Sequence, residues 1–144
     1  MILVDTSVWI EVFRSPSTLH LESLVDFDDI VTCLPVVQEV LQGFNSEPAY
    51  VRARESMLAL PIVDSPIGQQ RFVEAVDLYR MARRQGLTIR SGVDCLIAAS
   101  AIRHQLDVLH RDRDFDALTR VSPLSARNVA AGSRRLPPKG GSHR

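Results

Sequence analysis

The sequence predicts a single α/β domain whose parallel sheet is flanked by helices. Short β-branched or apolar segments alternate with longer segments of helical period, which is the pattern of strand–helix–strand units in a parallel sheet. The chain has 144 residues, enough for one domain with one hydrophobic core, and it shows no internal repeat. We place the domain at residues 1–129 and interpret residues 130–144, rich in Pro, Gly and basic side chains, as a disordered tail.

The first half of the chain carries two apolar segments that predict buried strands, and helices follow each of them. The strands are expected at residues 2–4 and 30–34, with a further candidate at 62–63, and the helices at residues 8–13, 19–25, 35–43 and 48–60. Asp5, Thr6 and Ser7 can each cap the first helix, because their side-chain oxygens accept hydrogen bonds from backbone N–H groups. Pro35 suits a helix start, where a backbone N–H has no helical partner in any case.

The second half of the chain has the clearest helical period, in residues 68–85. The face expected to pack on the core is formed by Phe72, Ala75, Val76, Tyr79 and Ala82. Residues 93–102 are apolar nearly all round, so we expect that helix to be buried. A strand at residues 108–109 and a short helix at 115–118 complete the pattern.

The net charge of zero conceals an uneven distribution. Residues 1–129 hold all 17 acids but only 13 of the 17 bases, so the predicted domain is acidic. Proteins that bind nucleic acid usually show a basic stripe. Charge alone therefore argues against a nucleic-acid partner, unless the acids are clustered where a metal ion neutralises them.

Composition also bears on where the protein resides. The apolar runs are only a few residues long, whereas a helix that spans a bilayer needs ~20. The first residues reach Asp5 without a basic segment, so we expect no signal peptide. Cys33 and Cys95 lie in apolar surroundings without metal-binding spacing, and we expect both to be reduced core residues of a cytoplasmic protein.

Four acids occupy corresponding places relative to the predicted strands. Asp5 directly follows the first strand, Glu39 lies in the helix after the second, and Asp112 follows the strand at 108–109. Asp94 begins the buried helix that leads into this last strand. Because ligands of open parallel sheets bind beyond the carboxyl ends of the strands, we expect the four side chains to converge at one edge.

Converging carboxylates have a chemical consequence. In a low dielectric they repel one another strongly, and a hard divalent cation that prefers oxygen ligands, Mg²⁺ or Mn²⁺, removes that cost. Such a centre can activate water and stabilise the charge that develops at phosphorus. We expect Asp5, Asp94 and Asp112 to bind the metal directly or through water, and Glu39 to bind metal or orient the attacking water.

Each acid also has a structural interpretation. Asp5 can serve as a helix cap alone. Ser91-Gly92-Val93-Asp94 fits a capping box, so Asp94 can be a cap as readily as a ligand, and the two roles are compatible. Glu39 can be a solvated helix acid, although the apolar residues around it leave little polar face.

Two other metal sites are disfavoured. Residues 112–116 begin like a calcium-binding loop, but Ala117 stands where that loop needs Gly, and Pro123 where it needs Glu. The histidines have no mutual spacing that suggests zinc. We interpret His110 as a structural or surface residue rather than one that contacts substrate.

Four segments resemble the motifs of PIN-domain toxins of the VapC type. They are Asp5-Thr6-Ser7-Val8-Trp9-Ile10, Val37-Gln38-Glu39-Val40-Leu41-Gln42-Gly43, Asp94-Cys95-Leu96-Ile97-Ala98-Ala99 and Leu109-His110-Arg111-Asp112-Arg113-Asp114-Phe115. The match spans residues 1 to about 120. No motif is decisive alone, but four in order at the expected separations are specific.

The resemblance implies a PIN-like domain with a five-stranded parallel sheet in the order 3-2-1-4-5. It implies metal-dependent cleavage of structured RNA, often tRNA, leaving a 3′-hydroxyl and a 5′-phosphate. It also implies a homodimer neutralised by a VapB-like antitoxin. Asp5, Glu39, Asp94 and Asp112 correspond to the acidic quartet, Asp114 to an auxiliary ligand or orienting residue, and Thr6 or Ser7 to a supporting hydroxyl. The basic tail has no counterpart in the family pattern.

Three other functions remain as alternatives. A haloacid-dehalogenase-type phosphatase needs a second Asp where this chain has Ser7, and a response-regulator receiver needs a lysine near its last strand, whereas the lone lysine is Lys139. A catalytically inactive module of the same fold that binds RNA or antitoxin is the third. Four converging carboxylates argue against it, because binding alone does not need them.

Overall fold

The computed structural model describes residues 1–14 and 19–131, so the predicted tail lies outside the described residues from position 132 onward. The elements are β1 Ile2–Val4, α1 Thr6–Phe13, β2 Ile30–Val31, α2 Leu34–Leu41, α3 Glu47–Leu58, α4 Gln69–Arg84, α5 Gly92–Arg103, β3 Asp107–His110, α6 Arg113–Val121 and β4 Ser125–Asn128. Short 3₁₀ turns lie at Leu21–Ser23, Phe27–Asp29 and Val129–Ala131. The α/β class predicted from the alternating pattern is confirmed.

The sheet is parallel throughout, with the strand order β2-β1-β3-β4. Leu3 of β1 lies opposite Val31 of β2 and Val108 of β3. These three side chains are at most 1% exposed. Because helices cover both faces of a parallel sheet, β1 is a continuous run of apolar residues rather than an alternation of apolar and polar residues.

The resemblance implied five strands, and the sheet formed by the described residues has four. The segment after α3 contributes a single parallel bridge, between Thr32 and Ile62. Pro61 has no backbone N–H to extend a ladder, and Asp64 leaves the extended conformation with φ +56°. This bridge lies beside β2, so the segments still follow the implied order 3-2-1-4-5, with the third strand reduced to one residue pair.

The helix predicted at residues 93–102 is buried as expected, since α5 has seven buried residues. The predicted face of α4 is partly wrong. Ala75 and Ala82 are buried together with Leu78, but Phe72 and Val76 are more than half exposed. Apolar side chains cover two adjacent sectors of α4, and periodicity alone does not decide which sector meets the core.

Two further elements differ from the sequence prediction. The helix expected at residues 19–25 is a 3₁₀ turn at Leu21–Ser23. Strand β4 was not predicted, because Ser125-Ala126-Arg127-Asn128 lacks apolar alternation. It pairs with β3 as an edge strand with no fully buried residue.

Cys33 and Cys95 are free and buried, as expected. Within the described ranges, the helices are too short or too polar to traverse a bilayer.

Candidate metal centre

Asp5 lies where β1 ends and α1 begins. Its backbone N–H donates to the carbonyl oxygen of Leu109 at 2.9 Å, which ties it to β3. One carboxylate oxygen, Oδ2, caps α1 by accepting from Ser7 N at 3.0 Å and Ser7 Oγ at 2.6 Å. The other, Oδ1, is buried without a hydrogen-bond partner among the described residues. Asp5 is therefore a cap through one oxygen and is open to a ligand through the other.

Burial also governs the charge of Asp5. Desolvation raises its pKa, the hydrogen bonds from Ser7 and the Thr6 backbone counteract part of that rise, and the negative charge of Glu39 adds to it. Glu39 is half-buried on α2, and its Oε1 accepts a hydrogen bond from Thr6 Oγ1 at 2.8 Å. It is therefore fixed beside the first motif rather than freely solvated.

Asp94 lies in the first turn of α5 and is only 5% exposed. The capping box proposed from sequence does not form, because Ser91 makes no side-chain cap hydrogen bond. Asp94 Oδ2 is buried and has no partner among the described residues. Burial, followed by the charges of Asp5, Asp112 and Asp114, raises its pKa to about 9. Without a bound cation, this carboxyl group holds a proton at neutral pH.

Asp112 and Asp114 open α6. Asp112 is the N-cap, and its Oδ1 accepts from Asp114 N at 2.9 Å. Asp114 is 1% exposed, and its Oδ2 accepts from the backbone N–H groups of Arg90 at 3.0 Å and Ser91 at 3.3 Å. Asp114 therefore anchors the start of α5, the helix that carries Asp94.

The carboxylates of Asp94, Asp112 and Asp114 form one group, in which an oxygen of each lies within 4.8 Å of an oxygen of the other two. Asp5 lies outside this group by the same measure but acts on Asp94 through its charge. The donors are all oxygens, and buried Oδ atoms of Asp5 and Asp94 lack partners within the described ranges. Hard divalent cations such as Mg²⁺ and Mn²⁺ prefer such donors, so the residues present fit one.

Ser7 links the first and fourth motifs. Its hydroxyl donates to Asp5 Oδ2 and accepts from the Arg111 backbone N–H at 2.9 Å. His110 is fully buried against Phe115, with ring centroids 5.1 Å apart, and its Nδ1 accepts from Asp112 N at 3.1 Å. Because burial lowers the pKa of His110, we assign it as a neutral acceptor that positions Asp112.

Arg90 is the residue at this site that sequence reasoning missed. Its Nη2 lies 3.0 Å from Asp112 Oδ1 and its Nε 3.5 Å from Asp114 Oδ1. Both charges raise the pKa of Arg90, that of Asp114 the more. The single hint in the sequence is its place directly before the segment 91–94. Nothing else distinguishes it from the other arginines.

Comparison with known proteins agrees with the fold and the order of the motifs. The PIN domain family model matches residues 2–121. Ribonuclease VapC11 of Mycobacterium tuberculosis is 39% identical over 133 residues, which cover 88% of this chain and 97% of that protein. Ribonuclease VapC51 of the same organism is 28% identical over 83% of this chain and 86% of its own length.

Solved structures show the same architecture. FitAB bound to the IR36 DNA fragment superposes with a TM-score of 0.71 at 24% identity, covering 96% of this chain and 99% of that one. At this identity the likeness concerns the fold alone. The family match and the identity to VapC11 go further: the chain belongs to the PIN-domain family and, within it, groups with the VapC ribonucleases.

Proposed function

We propose that this chain is a Mg²⁺- or Mn²⁺-dependent endoribonuclease and the toxin of a toxin–antitoxin pair. The observation that carries the proposal is the group formed by Asp94, Asp112 and Asp114, whose oxygens lie within 4.8 Å of one another. The names of the relatives, all VapC ribonucleases, support RNA as the substrate. An inactive binding module of the same fold is less favoured, because it gives no reason to bury carboxylate oxygens without partners.

Residues of this chain would divide the catalytic work. A divalent cation held by Asp5, Asp94 and Asp112 would act as a Lewis acid toward the phosphodiester and lower the pKa of a water molecule. Glu39, fixed by Thr6 at 2.8 Å, orients the attacking water. Asp114 is an auxiliary ligand, because its carboxylate belongs to the same group of oxygens, and it also positions the backbone of Arg90 and Ser91 at the start of α5. The reaction needs no histidine base.

The proposed substrate is structured RNA, with tRNA as the first candidate, cleaved to leave a 3′-hydroxyl and a 5′-phosphate. The test is to sequence RNA ends after brief expression of the protein, and then to incubate purified protein with a tRNA mixture with and without Mg²⁺. We expect discrete new 5′-phosphate ends and turnover that stops when the cation is chelated. Turnover that persists in chelator would contradict the metal assignment.

A cytoplasmic VapB-like antitoxin is the proposed partner. An acidic pocket attracts a guanidinium or ammonium group as well as a metal, so we expect a partner segment that places Arg or Lys near Asp5, Asp94 and Asp112. An apolar groove suits the rest of such a segment; its lining includes Ile10, Phe13, Val40 and Phe44.

The chain's own tail offers a rival inhibitor. Deleting residues 130–144 separates the two possibilities. If the truncated chain becomes more active alone and no longer responds to the co-encoded small protein, the tail and not the partner carries the inhibitory element.

A homodimer is the proposed assembly. Phe72, Val73 and Val76 form an exposed apolar strip on α4 in the described structure, with 53%, 47% and 56% exposure. Contiguous apolar surface of this kind is a common feature of subunit interfaces. Phe72→Asp should convert a dimer to a monomer in light scattering coupled to size exclusion. A dimer that persists would place the interface elsewhere.

A further inference from the structure

Arg90 lies across the acidic site. Its guanidinium contacts Asp112 and Asp114, two members of the three-carboxylate group, and within the described ranges no other basic side chain pairs with either. The side chain is nevertheless 53% exposed. It therefore combines access to solvent with direct contact to the carboxylates proposed to hold a metal.

A purely structural role does not account for this side chain. The loop before α5 is held by backbone groups, because the N–H of Arg90 and the N–H of Ser91 both donate to Asp114 Oδ2. Removing the guanidinium leaves those bonds in place. Ion pairs with a partner this exposed also contribute little to stability, since water competes for both groups.

Metal binding and this ion pair oppose each other. The oxygen of Asp112 that Arg90 contacts belongs to a carboxylate of the proposed metal site. A divalent cation there would neutralise the charge that attracts Arg90 and would itself repel the guanidinium. A side chain this exposed is then free to turn toward an incoming anion. The planar guanidinium matches a phosphate with two parallel hydrogen bonds.

We propose that Arg90 is a phosphate-binding residue that competes with the divalent cation for Asp112 and Asp114 and, once displaced, binds a phosphate of the RNA backbone. The phosphate-binding half rests on the proposed ribonuclease function. The competition half concerns this chain and a metal ion alone.

The first test is calorimetric titration of the whole chain with Mn²⁺. Arg90→Ala should bind Mn²⁺ more tightly, by up to about fivefold, the upper end for an exposed ion pair, whereas Arg90→Lys should lie between Arg90→Ala and wild type. Arg113→Ala is the matched control: it removes an equal charge from an exposed position beside the same acids, and it should change the affinity less. Equal affinities in wild type and Arg90→Ala would overturn the proposal.

The second test measures binding of bulk tRNA at several salt concentrations, in Ca²⁺ under conditions where no cleavage is detected, and in chelator. One lost phosphate contact lowers the salt slope of log K by about 0.7 to 0.9. We expect Arg90→Ala to show this loss in Ca²⁺ only, and Arg90→Lys to regain part of it. The same loss in chelator, or none in Ca²⁺, would overturn the phosphate role.

The two proposals can fail separately. If wild-type protein binds Mn²⁺ but neither binds nor cleaves RNA, the ribonuclease proposal and the phosphate role both fail, and the Mn²⁺ titration still decides the competition. If wild-type protein cleaves RNA and Arg90→Ala behaves as wild type in both tests, the inference about Arg90 fails while the proposed function stands.

Discussion

Two carboxylate clusters of this protein, one around Asp64 and one around Asp94, differ in whether other residues donate hydrogen bonds to their oxygens. Asp64, in the loop before α4, accepts from Arg71 Nε at 2.8 Å, from Ser100 Oγ at 2.7 Å and contacts His104 Nε2 at 3.3 Å. Asp94 has a buried oxygen that no donor reaches within the described ranges. The oxygens of Asp64 therefore have hydrogen-bond donors within the fold, whereas one buried oxygen of Asp94 has none among the described residues.

The difference appears in the proton affinities. Burial alone raises the pKa of Asp64, but the hydrogen bonds from Arg71, Ser100 and His104 outweigh it and bring the pKa down to about 2. For Asp94, burial and three neighbouring acids act in the same direction, and the pKa rises to about 9. A carboxylate that stabilises the fold is one whose charge the chain itself balances. A carboxylate with an unbalanced charge needs a partner from outside.

The largest expected effect is on activity. Asp94→Asn keeps the shape of the side chain but removes its charge, so cleavage should fall more than about a hundredfold, beyond the usual loss for residues that only support metal ligands. Asp64→Asn should retain cleavage at temperatures where the protein stays folded. The measurement is the initial rate on a tRNA mixture in Mg²⁺. Near wild-type activity of Asp94→Asn would refute the assignment of Asp94.

Stability should respond with opposite sign at the two clusters. Asp64→Asn leaves Arg71 nearly buried without its main partner and should cost about 2 to 3 kcal/mol, less than for a fully isolated charge because Arg71 keeps Glu74. Asn tolerates the left-handed φ at this position, so the backbone is not disturbed. Asp94→Asn should instead stabilise the metal-free protein. Urea unfolding in chelator measures both, and destabilisation by both substitutions would show that the clusters are alike.

Sequence reasoning worked where a residue's role depends on its neighbours along the chain. Asp5 directly follows a strand and Asp112 lies two residues after one, so their edge of the sheet could be predicted. Asp64 could not be placed in the same way, because its partners Ser100 and His104 are 36 and 40 residues away and meet it only when α4 packs on α5.

Contacts between residues distant in sequence also explain the other features that the sequence did not predict. Arg90 contacts Asp112, which is 22 residues away in the sequence, and no local sequence pattern predicts that contact. Strand β4 owes its existence to pairing with β3 rather than to its own composition. The exposed Phe72 shows that periodicity identifies an apolar sector of a helix but not what covers it.

Metal binding should affect the melting temperature through the Asp94 cluster and not through the Asp64 cluster. A cation that binds only the folded state stabilises it by about 2.7 kcal/mol at a hundred times its dissociation constant. We expect Mn²⁺ to raise the melting temperature of wild type and of Asp64→Asn alike. Asp112→Asn should reduce that rise and should also raise the melting temperature of the metal-free protein, because one of the repelling charges is gone. A melting temperature that ignores millimolar Mn²⁺ and Mg²⁺, and that Asp112→Asn lowers in chelator, would contradict a converged metal site.

The smallest expected change is the change in the free energy of unfolding with pH. One titrating group changes this free energy by at most about 1.4 kcal/mol per pH unit. The lowered pKa of Asp64 means that its stabilising charge is present above pH about 4 and is lost as pH falls toward about 2.

The raised pKa of Asp94 has the opposite consequence. Above pH about 4 the unfolded chain releases a proton that the folded protein keeps. The free energy of unfolding in chelator therefore falls as pH rises from about 4 toward 9. Urea unfolding between pH 5 and 8 excludes the contribution of Asp64, which is ionised in both states there. Comparison of the variants then separates Asp94 from Asp5 and His110, whose pKa values burial also shifts. The decline should shrink in Asp94→Asn and remain in Asp64→Asn. Equal declines in the two variants would mean that Asp94 ionises as readily in the fold as in the unfolded chain, and that its buried oxygen is balanced after all.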